Sequence, residues 1–194
     1  MKMQMNAVVS DVLVDTSVSA RSAREARVRA MMQAHFASVW RAVKRLGVAD
    51  GSTDDAAQRV FLVAVSKLDE IRAGGERAYL LGIAARVASD FRRSASRRPE
   101  IACGDAGVGD ASAQPLADAL LDEKRAREML SRVLDRLTPD LREAFVLFEL
   151  EELTAPEVAA ILGIAEGTVA SRVRRAREEI RASIERCRKA GEWR

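Results

Sequence analysis

Across 194 residues the chain has two cysteines, one histidine, four prolines and only 4% aromatic residues. Each shortage removes a class of protein. Cys103 and Cys187 stand far apart and outside any Cys-x-x-Cys pattern, so neither a disulfide framework nor a zinc site is expected. They read as incidental thiols of a reducing compartment. His35 sits beside Phe36 at helical spacing with no nucleophile near it, and reads as structural or solvated. No catalytic residue, cofactor or metal is therefore expected, and the chain does not read as an enzyme. No apolar run is long enough to span a bilayer. The first residues carry Asp11 and Asp15 and do not resemble a signal peptide. The expectation is a cytoplasmic protein with no membrane insertion. Strands, internal repeats and glycine-rich phosphate loops are not found either.

What is present is helical. Hydrophobic residues make up 48% of the chain, so cores can form, and with aromatics scarce they must be built from Ala, Val, Leu and Ile. The net charge is only +3, so the position of charge matters more than its sum. Residues 1–24 have no sustained period and read as a flexible or weakly helical leader. A helical pattern runs over residues 24–46 through Val28, Met31, Met32, Phe36, Val39, Trp40 and Val43. Asp54 and Asp55 favour the start of a helix over residues 54–68. A third covers residues 76–93 and ends in Arg92, Arg93, Arg97 and Arg98 before Pro99. The Gly-, Ala-, Asp- and Ser-rich segment that follows reads as a linker. Beyond it come helices over residues 116–137, with Met129, Leu130, Val133, Leu134 and Leu137, and from Pro139 through Leu141, Phe145, Phe148 and Leu150. The fold class is all-α. Two small helical domains, residues 25–99 and 117–194, are joined by a linker over residues 100–116.

The most specific segment is LTAPEVAAILGIAEGTVASRVRRAR, residues 153–177. Thr154 and Glu157 form a capping box, and Pro156 falls in the first turn, where a missing N–H costs little. Gly163 supplies a left-handed turn, with Ile164 as the buried plug. In the helix that follows, Val169, Val173, Ala176, Ile180 and Ile184 fall on one face at about 100° per residue. Thr168, Ser171 and Arg175 fall on the opposite face, flanked by Arg172 and Arg174. This is a helix-turn-helix, which lays its second helix in the DNA major groove. Arginine pairs with guanine edges and phosphates, while hydroxyls mainly position the helix on the backbone. An arginine-rich face is often only a solvated one; the cap, turn and short entry together favour DNA.

The C-terminal run resembles region 4 of extracytoplasmic-function (ECF) sigma factors. Leu137, Pro139, Arg142, Glu143, Leu153, Thr154, Glu157, Gly163, Gly167, Thr168, Val169, Ser171 and Arg172 match that pattern. The N-terminal half is similar to region 2, through Asp55, Gln58 and Phe61, then Leu80, Leu81, Ile83, Ala84, Arg86, Asp90, Arg92 and Arg93. The resemblance implies core RNA polymerase and promoter DNA as partners, with an anti-sigma factor as a third. It implies that Thr168, Ser171, Arg172, Arg174 and Arg175 dock on the −35 element. Arg86, Asp90, Arg92 and Arg93 would face the −10 region, and Asp55, Gln58 and Leu62 the polymerase clamp. A pocket for a flipped base would come from residues 72–77, with Arg72 and Glu76.

Several positions depart from the family pattern. Arg59 stands where an acid is usual, Tyr79 replaces Trp, and Gly82 sits inside a helix. Val87 replaces a frequent Asn and would remove a polar group near the DNA face. Ala165 replaces a capping Ser, and Ala170 a Lys. A solvated role for the arginines of residues 92–98 stays open. So do two alternative functions: a stand-alone helix-turn-helix regulator, and a sigma-like protein that only binds partners.

Overall fold

The structure is a computed structural model that describes residues 2–72, 74–97 and 114–189, with side chains described from residue 21 onward in the first half and from residue 125 in the second. Among the described residues there are α1 (Lys2–Arg45), α2 (Thr53–Ser66), α3 (Glu76–Arg97), α4 (Gln114–Asp135), α5 (Pro139–Phe145), α6 (Ala155–Leu162) and α7 (Glu166–Lys189), and no strand. Residues 2–24, expected as a leader, continue α1. Their sequence lacks an amphipathic period, yet it also lacks any glycine or proline that would stop a helix. Of the linker expected over residues 100–116, residues 100–113 lie outside the described residues, and its last positions begin α4.

Helices α1, α2 and α3 pack on one another. α1 contributes Met31, Val39, Ala42 and Val43, and Leu46 just past its end continues the same three- and four-residue spacing; all are buried. α2 turns Ala56, Ala57, Val60, Phe61 and Ala64 inward. Its start is tied down by the Trp40 indole N–H, which donates to Asp54 at 2.7 Å. α3 is buried more broadly than a single stripe allows, from Leu80 to Ala88 with only Arg86 fully outside. That breadth has a cause: α6 of the C-terminal half packs against it.

In the C-terminal half, α5 and α6 pack on α7. Leu134, Leu147, Val146, Val158 and Val169 are fully buried there, each worth roughly 2 kcal/mol or more in burial. The later part of α7 meets α4, where Met129, Val133 and Cys187 form a small separate core with Ile180 and Ile184. The main apolar core is continuous from α1 through α7.

The helix begun at Pro139 does not run on as a plain α-helix. Residues Val146–Leu150 widen into a π turn, and the Glu151 N–H reaches the Val146 carbonyl at 2.9 Å. Glu152 then adopts φ 51°, and the Leu153 N–H closes on the Leu147 carbonyl at 3.1 Å. This stop fixes where the helix-turn-helix begins.

Candidate nucleic-acid interface

The start of α6 is set by a local hydrogen-bond pair. The Glu157 carboxylate accepts from the Thr154 N–H at 2.8 Å and from the Thr154 hydroxyl at 2.7 Å. These two bonds hold the Glu157 carboxyl below the usual carboxylate range. Gly163 ends the helix at φ 67°, where any Cβ would be strained, and the Ile164 N–H returns to the Ala159 carbonyl at 3.1 Å. Ile164 is half-buried between the helices. α7 then leaves at an angle set by that turn, anchored by buried Val169, Val173 and Ala176.

The outer face of α7 carries Ser171, Arg174 and Arg175, all exposed. Thr168 is half-buried, and its carbonyl accepts the Ser171 hydroxyl at 2.9 Å, so that hydroxyl is partly spent on the helix itself. Arg174 stands 71% exposed with Glu178 at 3.5 Å, a pair too solvated to hold it back from a phosphate. Arg172 is different. It turns sideways to Asp140 at 2.5 Å and does not join the open face. Arg177, further along, pairs with Glu149 through Nε at 2.9 Å. The open cationic face is therefore Arg174 and Arg175, narrower than the sequence suggests.

On α3, Arg86, Asp90 and Arg93 are exposed. Asp90 and Arg93 pair at 2.5 Å and, with Ser94 and Arg97, line a shallow depression. Arg92 faces elsewhere: it donates to the Leu46 carbonyl and to Glu143 of α5. Val87, expected near the DNA face, is a core residue at 5% exposure, which explains why an apolar side chain stands there. Phe61 is likewise core, and Phe91 is half-buried against it. Around residues 72–77, Arg72 is exposed, whereas Glu76 lies 3.7 Å from Arg27. Tyr79 packs on the core.

On α2, Asp55, Gln58 and Leu62 are all exposed and share one face by their three- and four-residue spacing. Leu62 is 65% exposed, and on α1 Met32 and Phe36 add further exposed apolar surface. Phe36 stacks on Phe61 with ring centroids 5.9 Å apart. Arg59 is exposed beside Gln58.

Sequence reasoning missed one cluster altogether. Glu151, with its side chain 4% exposed, accepts Arg45 at 3.0 Å and Arg77 at 3.4 Å. Nearby, Arg142 donates through Nε to the Arg45 carbonyl at 2.5 Å and pairs with Asp135 at 2.8 Å. Burial pulls the Arg142 guanidinium below its ordinary value, and Asp135 opposes that pull. The run of acids at Glu149, Glu151 and Glu152 was the available signal, but nothing local says which of them turns inward. No group of His, Cys, Asp and Glu side chains among the described residues is arranged to hold a metal, and no helix among them is long and apolar enough to cross a membrane.

Residues 127–180 match the family model for sigma-70, region 4. The chain is similar to the ECF RNA polymerase sigma factor SigC of Mycobacterium tuberculosis, with 32% identity over 188 residues, 93% of this chain and 97% of the relative. It is similar to the ECF RNA polymerase sigma-E factor of Escherichia coli K12, with 33% identity over 145 residues, 69% of this chain and 74% of that one. Among solved structures, CnrH in complex with the cytosolic domain of CnrY superposes with a TM-score of 0.61 at 23% identity, covering 83% of this chain and 89% of that one. The sigma factor RpoE in complex with the anti-sigma factor NepR from Bartonella quintana gives 0.60 at 21%, covering 81% and 96%. These two likenesses establish the fold.

Proposed function

This chain belongs to the extracytoplasmic-function family of RNA polymerase sigma factors, and from that premise we propose how its parts divide the work. Sigma factors are transcription initiation factors. This one binds core RNA polymerase and directs it to a set of promoters. The observation that carries the reading is the exposed face of α7 with Ser171, Arg174 and Arg175, delivered by a capped helix and a left-handed glycine turn. Thr168 and Arg172 border it. That face docks on the −35 element, with arginines taking phosphates and base edges.

Residues 25–99 act as the unit that meets the polymerase clamp and the −10 element. The clamp contact is the α2 face of Asp55, Gln58 and Leu62, supported by its mixed polar and apolar exposure. The −10 contact is α3, through Arg86, Asp90 and Arg93, with Arg92 available only when released from Glu143. Residues 117–194 act as the −35 unit, joined to the first by the linker, whose last positions, residues 114–116, already belong to α4. An anti-sigma factor is a further partner, an extension from the complex in which the RpoE neighbour was solved.

The test is run-off transcription with core polymerase on a genomic promoter pool. Discrete start sites that require this chain are the expected result. Polymerase binding without transcripts would favour a protein that only sequesters partners. Neither binding nor transcripts, with retention of duplex DNA binding, would favour a stand-alone regulator and end the proposal.

A further inference from the structure

We propose that Arg24 and Arg27 of α1 are positioning residues for promoter opening. They fix the turn that leaves α2 and enters α3, and through it the base preference of the −10 contact, which rests on the reading that residues 25–99 meet the −10 element.

The turn has little apolar anchorage. Leu68 and Ile71 are buried, but from Arg72 onward no described residue is fully buried until Leu80. Burial therefore stops setting the path of the chain at Ile71. Two guanidiniums one helical turn apart take over. Arg24 donates to the Val65 carbonyl at 2.9 Å and pairs with Asp69 at 3.2 Å. Arg27 donates to the Ile71 carbonyl at 2.5 Å and lies 3.7 Å from Glu76. Each arginine thus holds one backbone carbonyl and one carboxylate of a segment more than 40 residues further along the chain. Val65 is next to last in α2, among the carbonyls that a helix leaves without an internal donor, at the negative end of its dipole. The tie from Arg77 to Glu151 lies beyond the turn.

Magnitudes separate positioning from stability here. The side chains of Arg24, Asp69 and Arg27 are 42%, 87% and 37% exposed, so these ion pairs add little folding energy. A planar guanidinium fork is nevertheless directional, and it orients the chain where no side chain packs. Opening a promoter requires a base to leave the stack and be held by hydrogen bonds or stacking. Arg72 is exposed at this turn, and a Cβ on Gly74, at φ 81°, would have no atom within 4 Å. An unpaired base can therefore come close to the backbone there. Such a contact discriminates between bases only when its donors and acceptors are held to within about 0.5 Å. Arg24 and Arg27 supply that hold from outside the contact.

The test uses holoenzyme assembled from the full chain and core RNA polymerase, with core polymerase alone as background. A pool of random single-stranded DNA oligonucleotides is selected for binding, and sequencing gives the base preference at each position. Wild type is expected to favour its best base over its worst by about tenfold or more at one position at least. Arg24→Gln with Arg27→Gln should cut that ratio to about threefold or less. Co-elution with polymerase should be unchanged and the thermal midpoint within about 4 °C of wild type. A merely structural loss weakens binding of every sequence alike and leaves the ratio in place. An unchanged ratio in this variant therefore overturns the proposal. Arg72→Ala with Glu76→Ala then tells the two failures apart. If it flattens the ratio, the turn still meets the −10 strand and only the positioning role falls. If it does not, or if wild type shows no preference, the −10 reading of the turn falls as well. Where circular dichroism shows that the glutamine variant has lost helix, Arg24→Lys with Arg27→Lys decides, since lysine keeps the charge but lacks the fork. A flattened ratio there supports the positioning role, and a wild-type ratio refutes it.

Discussion

Arg172 of α7 and Asp140 of α5 lie 2.5 Å apart, an ion pair that braces the recognition helix against the first turn of α5, two helices earlier. Arg174 and Arg175, two and three residues on, point to solvent. Adjacent arginines in one cluster therefore have different duties, and substitution should separate them.

Arg175→Ala should weaken promoter binding and reduce the salt slope by about one unit, with stability unchanged. Arg172→Ala should lower stability by up to about 1 kcal/mol and leave the salt slope of the DNA complex nearly unaltered. Urea denaturation and filter binding at several salt concentrations distinguish the two. A slope lost in Arg172→Ala alone would reverse the assignment.

The Thr154–Glu157 cap gives a pH signature. The folded state depresses the Glu157 pKa, through bonds from the Thr154 hydroxyl and N–H. Its stabilisation is therefore present at neutral pH and is lost as pH falls through the folded value, below the ordinary carboxylate range. Thr154→Ala should cost about 1 kcal/mol at pH 7. The gap between Glu157→Gln and wild type should narrow as the pH is taken from 7 to a value below the ordinary carboxylate range. Denaturation at both pH values checks it.

Leu62, 65% exposed on α2, carries little folding energy. Leu62→Asp should leave stability within about 0.5 kcal/mol of wild type. It should nevertheless reduce co-elution with core polymerase severalfold. Unimpaired binding would remove this face of α2 from the polymerase contact.

Glu152 holds φ 51° without being glycine. That conformation costs an L-residue about 1–2 kcal/mol, so Glu152→Gly should stabilise the protein by roughly 0.5–1 kcal/mol after the unfolded chain's extra freedom is counted. The shift in thermal midpoint measures it.

Much of this molecule is legible in its sequence because the relevant physics is short-ranged. Thr154, Glu157, Gly163 and the stripe of Val169, Val173 and Ala176 act within one or two turns of helix, so spacing alone identifies the helix-turn-helix. The α2 residues Asp55, Gln58 and Leu62 are picked out by resemblance to region 2, and the helix then sets them on one exposed face. Tertiary structure alone decided the rest. It placed Val87 in the core and set Gly82 of α3 against Ile161 of a helix that comes far later in the chain. It turned Arg172 to Asp140 and Arg92 to Glu143. It enclosed Glu151 against Arg45, 106 residues away, through a π turn that no periodicity announces. A cluster of arginines can be read from a sequence, but which carboxylate each one meets is set by how the helices pack, and that packing determines which of them remain open to DNA.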